Sequence, residues 1–197
     1  MQENRTSGAA AAQSGMRKGK PWFGCLQAYF LYFLAYSVLG WCYEVFLEVV
    51  VYRWGFSNRG FLWGPYCPVY GFGALLLLLC LRGVMKRRLL WGRVCVTPAV
   101  VFVAIVVLTT VLELLTSYLL EWTTGGWLWD YSSYTIQFEG RICLSASLRF
   151  GVAGMLVLYV LQPLLERAVT RLGERRRAVL FAVLFGLFLL DFILRIT

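Results

Sequence analysis

The sequence predicts an all-α fold, a polytopic membrane bundle of five transmembrane helices with its N-terminus inside and its C-terminus outside. Three observations predict it. First, the 197 residues are 60% hydrophobic and only 15% charged, whereas soluble domains run at about 45–50% apolar and about 25% charged. Second, several apolar runs approach or exceed the ~18–20 residues that carry a helix across a ~30 Å hydrocarbon core. Third, Lys and Arg alternate between the segments that separate these runs. Fourteen fall in the tail, the second connection and the fourth, and four fall in the segments between; Arg149 lies inside a run. A missed or extra span would scramble that alternation, and the positive-inside rule turns it into the orientation stated.

Residues 1–21 are rich in Ala, Gly, Ser and Gln, carry Arg5, Arg17, Lys18 and Lys20, and show no periodicity. They predict a disordered basic cytoplasmic tail, and residues 22–197 a single transmembrane domain. The apolar run that follows is too long for a signal-peptide core and ends without a small-x-small cleavage site, so it is expected to stay as an anchor. The spans are placed at Phe23–Val51, Tyr66–Leu81, Val94–Leu120, Ile142–Leu165 and Ala178–Leu194. The second is short and broken by Pro68, Gly71 and Gly73. Such interrupted segments belong where protein or water satisfies the freed backbone groups.

Several chemistries are excluded by composition. Histidine is absent, which removes the usual neutral-pH base and the commonest metal ligand. The six cysteines show no CxxC spacing, and no GxxxxGK[ST] phosphate loop is present. No cofactor is expected. The net charge of +9 is explained by a headgroup-facing belt, so nucleic acid is not an expected partner.

The acids fall opposite to the bases. Glu44, Glu48, Glu113, Glu121, Asp130, Glu139 and Asp191 lie in the outer half or the outer loops. Counting nine residues from Arg53, eight from Glu121 and eight from Arg141, Glu44, Glu113 and Arg149 all sit roughly 12–13.5 Å deep at ~1.5 Å per helical residue. An ionised group at mid-bilayer costs on the order of 2.5–3.5 kcal/mol. Three at one level predict mutual neutralisation in a polar chamber open to the outer face. Ser37, Trp41, Glu44 and Glu48 make a helical stripe on the first span, and Thr109, Glu113, Thr116 and Ser117 on the third. Ser145 and Arg149, and Asp191 and Arg195, stand four apart. Structural ion pairing is the competing reading of these charges. Cys67 and Cys143 both fall on the outer side, where a disulfide, a packing thiol and a reactive thiol are all compatible with the sequence.

The segments "GWCYEVFLE", "NRGFLWGPYCPVYGFGALL", "WDYS" and "GRICLSASLRFG" together resemble a bacterial membrane family of ABC-transporter permeases, type IV, over about residues 28–165. Matching positions include Trp41, Glu44, Asn58, Arg59, Tyr70, Glu113, Asp130 and Arg141. One departure is "YTIQFEGRIC", where an Asn is expected ahead of the Gly-Arg pair. The resemblance implies a multi-pass protein of the bacterial plasma membrane. Transport is the leading expectation. Trp41, Glu44, Asn58, Arg59, Tyr70, Glu113, Asp130, Arg141 and Arg149 would bind a small polar solute or a lipid headgroup, with the carboxylates holding a cation and the guanidiniums an anion. Expected partners are membrane lipids, a separate ATPase subunit or further copies of the chain. The alternatives are a membrane scaffold, or an enzyme on a lipid-linked substrate using Glu44 and Glu113 as acid and base.

Overall fold

The computed structural model describes residues 21–58, 60, 62–91, 94–126 and 129–196. The tail assigned to residues 1–21 lies outside them except for Pro21, as does Arg59. Five helices are long and apolar enough to cross a membrane. They comprise α1 (Pro21–Phe46, continued by a π-helical turn at Leu47–Val51), α2 (Pro68–Met85), α3 (Thr97–Thr124), α4 (Leu144–Leu156) and α6 (Gly173–Ile196). A second π turn, Val157–Leu161, joins α4 to α5 (Gln162–Arg171), and together these make the fourth span. Two hairpins of two-residue strands interrupt the helices: β1–β2 (Leu90–Trp91 with Val94–Cys95) and β3–β4 (Gln137–Phe138 with Ile142–Cys143).

The expected spans are found, with displaced ends. α2 starts at Pro68, whose fixed φ and missing N–H suit a first helical turn, and runs four residues past the expected end. α3 starts at Thr97 rather than Val94, because the preceding residues pair as β1–β2 and Pro98 favours a helix start there. It ends at Gly125, which adopts a left-handed φ of 80° and donates its N–H to the Glu121 carbonyl.

The packing shows how the spans run. The apolar core joins Leu31, Tyr32 and Tyr36 in the first half of the first span to Leu77, Leu78 and Leu81 in the second half of α2, Val101 and Ile105 in the first half of α3, and Leu158 and Val169 in the second half of the fourth span. Successive spans are therefore antiparallel. α6 runs alongside α1: Arg177 Nε donates to Gln27 Oε1 at 3.3 Å near their starts, and rings of Phe30 and Phe33 meet Phe181, Phe185 and Phe188 along them. No residue of α6 is buried, as expected of a helix that faces lipid on most sides.

The core fills the half of the bundle that carries Arg82, Lys86, Arg87, Arg88 and Arg175–Arg177, called here the basic end. A polar chain runs from it to the surface, buried at Tyr36 and Gln162 and exposed at Arg82. The Tyr36 hydroxyl donates to Gln162 Oε1 at 2.9 Å, Gln162 Nε2 donates to Glu166 Oε1 at 3.2 Å, and Arg82 stands 3.8 Å from the same oxygen. The helix seams are made by small residues. Gly71 of α2 lies against Phe33 and Ser37 of α1, and Gly151 of α4 against Phe102 and Val106 of α3. Thr110 donates to Ser147 across the second seam at 2.7 Å.

Candidate functional site

At the opposite end of the bundle, called here the carboxylate end, the first loop, residues 52–67, is folded back on α1 by polar side chains. Glu48 is buried on the π turn, where it accepts the Ser57 amide at 3.2 Å and the Ser57 hydroxyl at 2.7 Å. Trp41 Nε1 donates to Asn58 Oδ1 at 2.8 Å, and Asn58 Nδ2 donates to the Trp63 carbonyl at 3.0 Å. The Cys67 amide donates to the Ser37 carbonyl at 2.9 Å. Asp191 closes the loop from α6. It accepts the amides of Trp63 (3.1 Å) and Gly64 (2.9 Å) and the Tyr66 hydroxyl, and Arg195 stacks over Trp63. Burial and then the Asp191 hydrogen bond raise the Tyr66 phenol well above its ordinary pKa.

Glu44 has a different setting. Its Oε1 accepts the Tyr70 hydroxyl across the α1–α2 seam. Beside this pair, α2 and the second half of α6 enclose a groove of about 730 Å³, walled by Leu62, Pro68, Val69, Phe72, Phe188 and Phe192 with Glu44 and Tyr70. The lining is apolar apart from that pair and the Cys67 thiol. Val69 and Phe72 are 71% and 65% exposed, so the groove is open along its α2 wall.

The second loop of the carboxylate end, residues 125–143, is built around Arg141. Its buried guanidinium lies 2.5 Å from Glu121, 3.4 Å from Glu139 and 4.2 Å above the centre of the Tyr118 ring. Glu139 and Gly140 both take positive φ to turn β3 into β4. The Trp-Asp-Tyr and Gly-Arg elements of the sequence dock on each other here. Trp129 Nε1 donates to the Arg141 carbonyl at 2.7 Å, and the Tyr131 amide to the Gly140 carbonyl at 2.8 Å. Asp130 accepts the amide and hydroxyl of Ser132, which hold its carboxyl below the ordinary range. A Cβ on Gly140 would come within 2.8 Å of Asp130, so the glycine is required by space as well as by its φ of 66°.

Glu113 meets this loop from α3. Its Oε1 accepts the Tyr131 hydroxyl at 2.8 Å, while its buried Oε2 has no hydrogen-bond partner among the described residues. Burial and then Glu113 raise the Tyr131 phenol well above its ordinary pKa. Arg149 is within electrostatic reach of Glu113, and its Nε donates to the Ser145 carbonyl at 3.1 Å.

The nine sequence-predicted residues thus fall into two groups. Trp41, Glu44, Asn58 and Tyr70 gather at the first loop, and Glu113, Asp130, Arg141 and Arg149 at the second; Arg59 lies outside the described residues. The hydrogen bonds of Glu44 and Glu113 run to different partners, and the groove is on the Glu44 side. Asp191, Glu121, Tyr66 and Tyr131 were missed as site residues. The lone acid in an otherwise apolar fifth span was the available signal for Asp191. Cys67 and Cys143 are buried thiols rather than a disulfide. Cys143 caps α4, its sulfur accepting the Ala146 amide at 3.4 Å.

Five apolar spans with ionisable side chains inside them define a multi-pass membrane protein. Residues 31–196 match the family described as "Putative ABC-transporter type IV", and the chain belongs to that family. Comparison with curated proteins and with solved structures yields no significant match.

Proposed function

We propose that this chain is the membrane-spanning component of a transporter and that its ligand is an amphipathic cation, a solute or lipid with a protonated amine on an apolar body. The observation that carries this reading is the groove beside Glu44. An apolar trough of about 730 Å³ has the size of a small-molecule site, with a few polar groups fixing orientation. Its single carboxylate selects a positive charge, and its lateral opening admits a ligand from the leaflet. Glu48, Asp191 and Arg141 are engaged in fastening loops, which sets Glu44 apart. The carboxylate end faces outward by the positive-inside rule. The chain has no phosphate loop, so ATP hydrolysis would come from a separate subunit at the basic end.

The second group supports a structural role for part of the charge. Arg141 with Glu121 and Glu139 is a closed cluster of the kind that glues a loop, and the scaffold reading draws on it.

The test is binding of a fluorescent long-chain alkylammonium to the protein in nanodiscs. Saturable binding is expected, weakened by roughly tenfold or more in Glu44→Gln, since about 1.4 kcal/mol of lost charge pairing corresponds to a factor of ten. Glu113→Gln is expected to bind as wild type. Equal, non-saturable partitioning in wild type and Glu44→Gln would overturn the reading.

A further inference from the structure

We propose that the β1–β2 hairpin at the basic end is a membrane-inserted anchor that binds the anionic phospholipid headgroups of its own leaflet. The hairpin is a closed unit. The Val96 amide donates to the Leu89 carbonyl at 2.9 Å, and the Thr97 hydroxyl accepts the Leu89 amide and donates to the Arg87 carbonyl, both at 2.9 Å. Leu90 pairs with Cys95 and Trp91 with Val94. Successive strand residues point to opposite faces, so one face of such a hairpin normally packs. Here neither does: Leu90 is 65% exposed, Trp91 82% and Val94 66%.

Two further observations say what covers these faces. Lys86, Arg87 and Arg88 are exposed at the base of the hairpin, and the stretch 86–95 contains no acid. A tryptophan with flanking cations is the composition of a headgroup-level anchor. The position agrees. The hairpin stands between the end of α2 at Met85 and the start of α3 at Thr97, at the basic end of two spans, which is the headgroup level of that leaflet. A protein partner is disfavoured by size, since so short a ladder offers far less than the roughly 800 Å² per side of a stable interface.

The test uses the full chain in nanodiscs of phosphatidylcholine, with or without phosphatidylglycerol. It reads alkylation of Cys95 by a neutral polyethylene-glycol maleimide, resolved by peptide mass spectrometry and expressed per thiolate across a pH series. Cys95 is expected to react several-fold more slowly with phosphatidylglycerol present. Replacing Lys86, Arg87 and Arg88 by Gln should abolish the difference, because three cations change surface partitioning on the order of 100-fold. Trp91→Ser should raise reactivity in both lipids. Fast alkylation in both nanodiscs, as in detergent, would place the hairpin in water and overturn the proposal. Equal protection in both lipids would remove its anionic component. Protection confined to native membrane vesicles would identify a protein partner and overturn it too.

Discussion

Glu44 and Cys67 line the same groove, and their coupling makes the charge on Glu44 measurable. Burial, and then the Glu44 carboxylate, push the Cys67 thiol above its ordinary pKa. The sign is fixed by like-charge repulsion: thiolate and carboxylate are both negative, so removing the Glu44 charge stabilises the thiolate. The pH profile of Cys67 alkylation should therefore move to lower pH in Glu44→Gln, with the fold intact by thermal melting. An unmoved profile would mean that Glu44 bears no charge in the groove, and the cation reading would lose its basis. At this scale the sequence was informative about acids and silent about partners. Glu44 and Glu113 stood out because an ionised group in an apolar run is costly. Tyr131 did not, because a loop tyrosine eighteen residues beyond Glu113 is marked by no spacing rule; only the turn at Glu139–Gly140 brings it there. Asp130 and Arg141 were both visible, yet Arg141 is held by Glu121 and Tyr118 of α3 as well as by Glu139, a meeting that the fold alone supplies.

At the scale of elements, the α1–α2 seam depends on glycine. A Cβ on Gly71 would stand 2.6 Å from the Phe33 carbonyl oxygen, a backbone atom of α1, and would also crowd Ser37. Gly73, two residues on, has nothing within 4 Å of its own would-be Cβ. Gly71→Ala should thus destabilise the protein by about 1–3 kcal/mol, the usual cost of overpacking, read as a lower melting temperature in detergent. Gly73→Ala should be neutral or slightly stabilising, since alanine is the better helix former. Equal melting of both variants would contradict the close approach. The helices were legible because apolar runs of membrane length can be counted. Their ends were less so: β1–β2 displaces the start of α3, and apolarity does not distinguish a strand in the interface from the first turn of a span. The π turns at Leu47–Val51 and Val157–Leu161 had no signal, because one extra residue in a turn leaves an all-apolar run looking unchanged. The first of them nonetheless places Glu48 where it can hold Ser57.

The whole molecule is asymmetric along its length. The basic end holds the apolar core, with the Tyr36–Gln162 hydrogen bond inside it. The carboxylate end holds two loop caps and a groove open along its α2 wall. Such a bundle is packed at one end and receptive at the other, so the direction in which it sits decides where a ligand comes from. On the positive-inside rule the basic end is expected in the cytoplasm, since Lys86, Arg87, Arg88, Arg167, Arg171 and Arg175–Arg177 all lie at span ends there. A phosphatase that folds only outside the cytoplasm should consequently be active when fused after Ile196, at the end of α6, and inactive when fused in the loop around Arg88. The opposite pattern would turn the Glu44 groove toward the inner leaflet. The anionic surface would then meet the acids rather than the bases, and an amphipathic cation would have to be loaded from the cytoplasmic side. The reporter pair thus separates uptake from export before any substrate is known, because only the leaflet that faces the groove can load it.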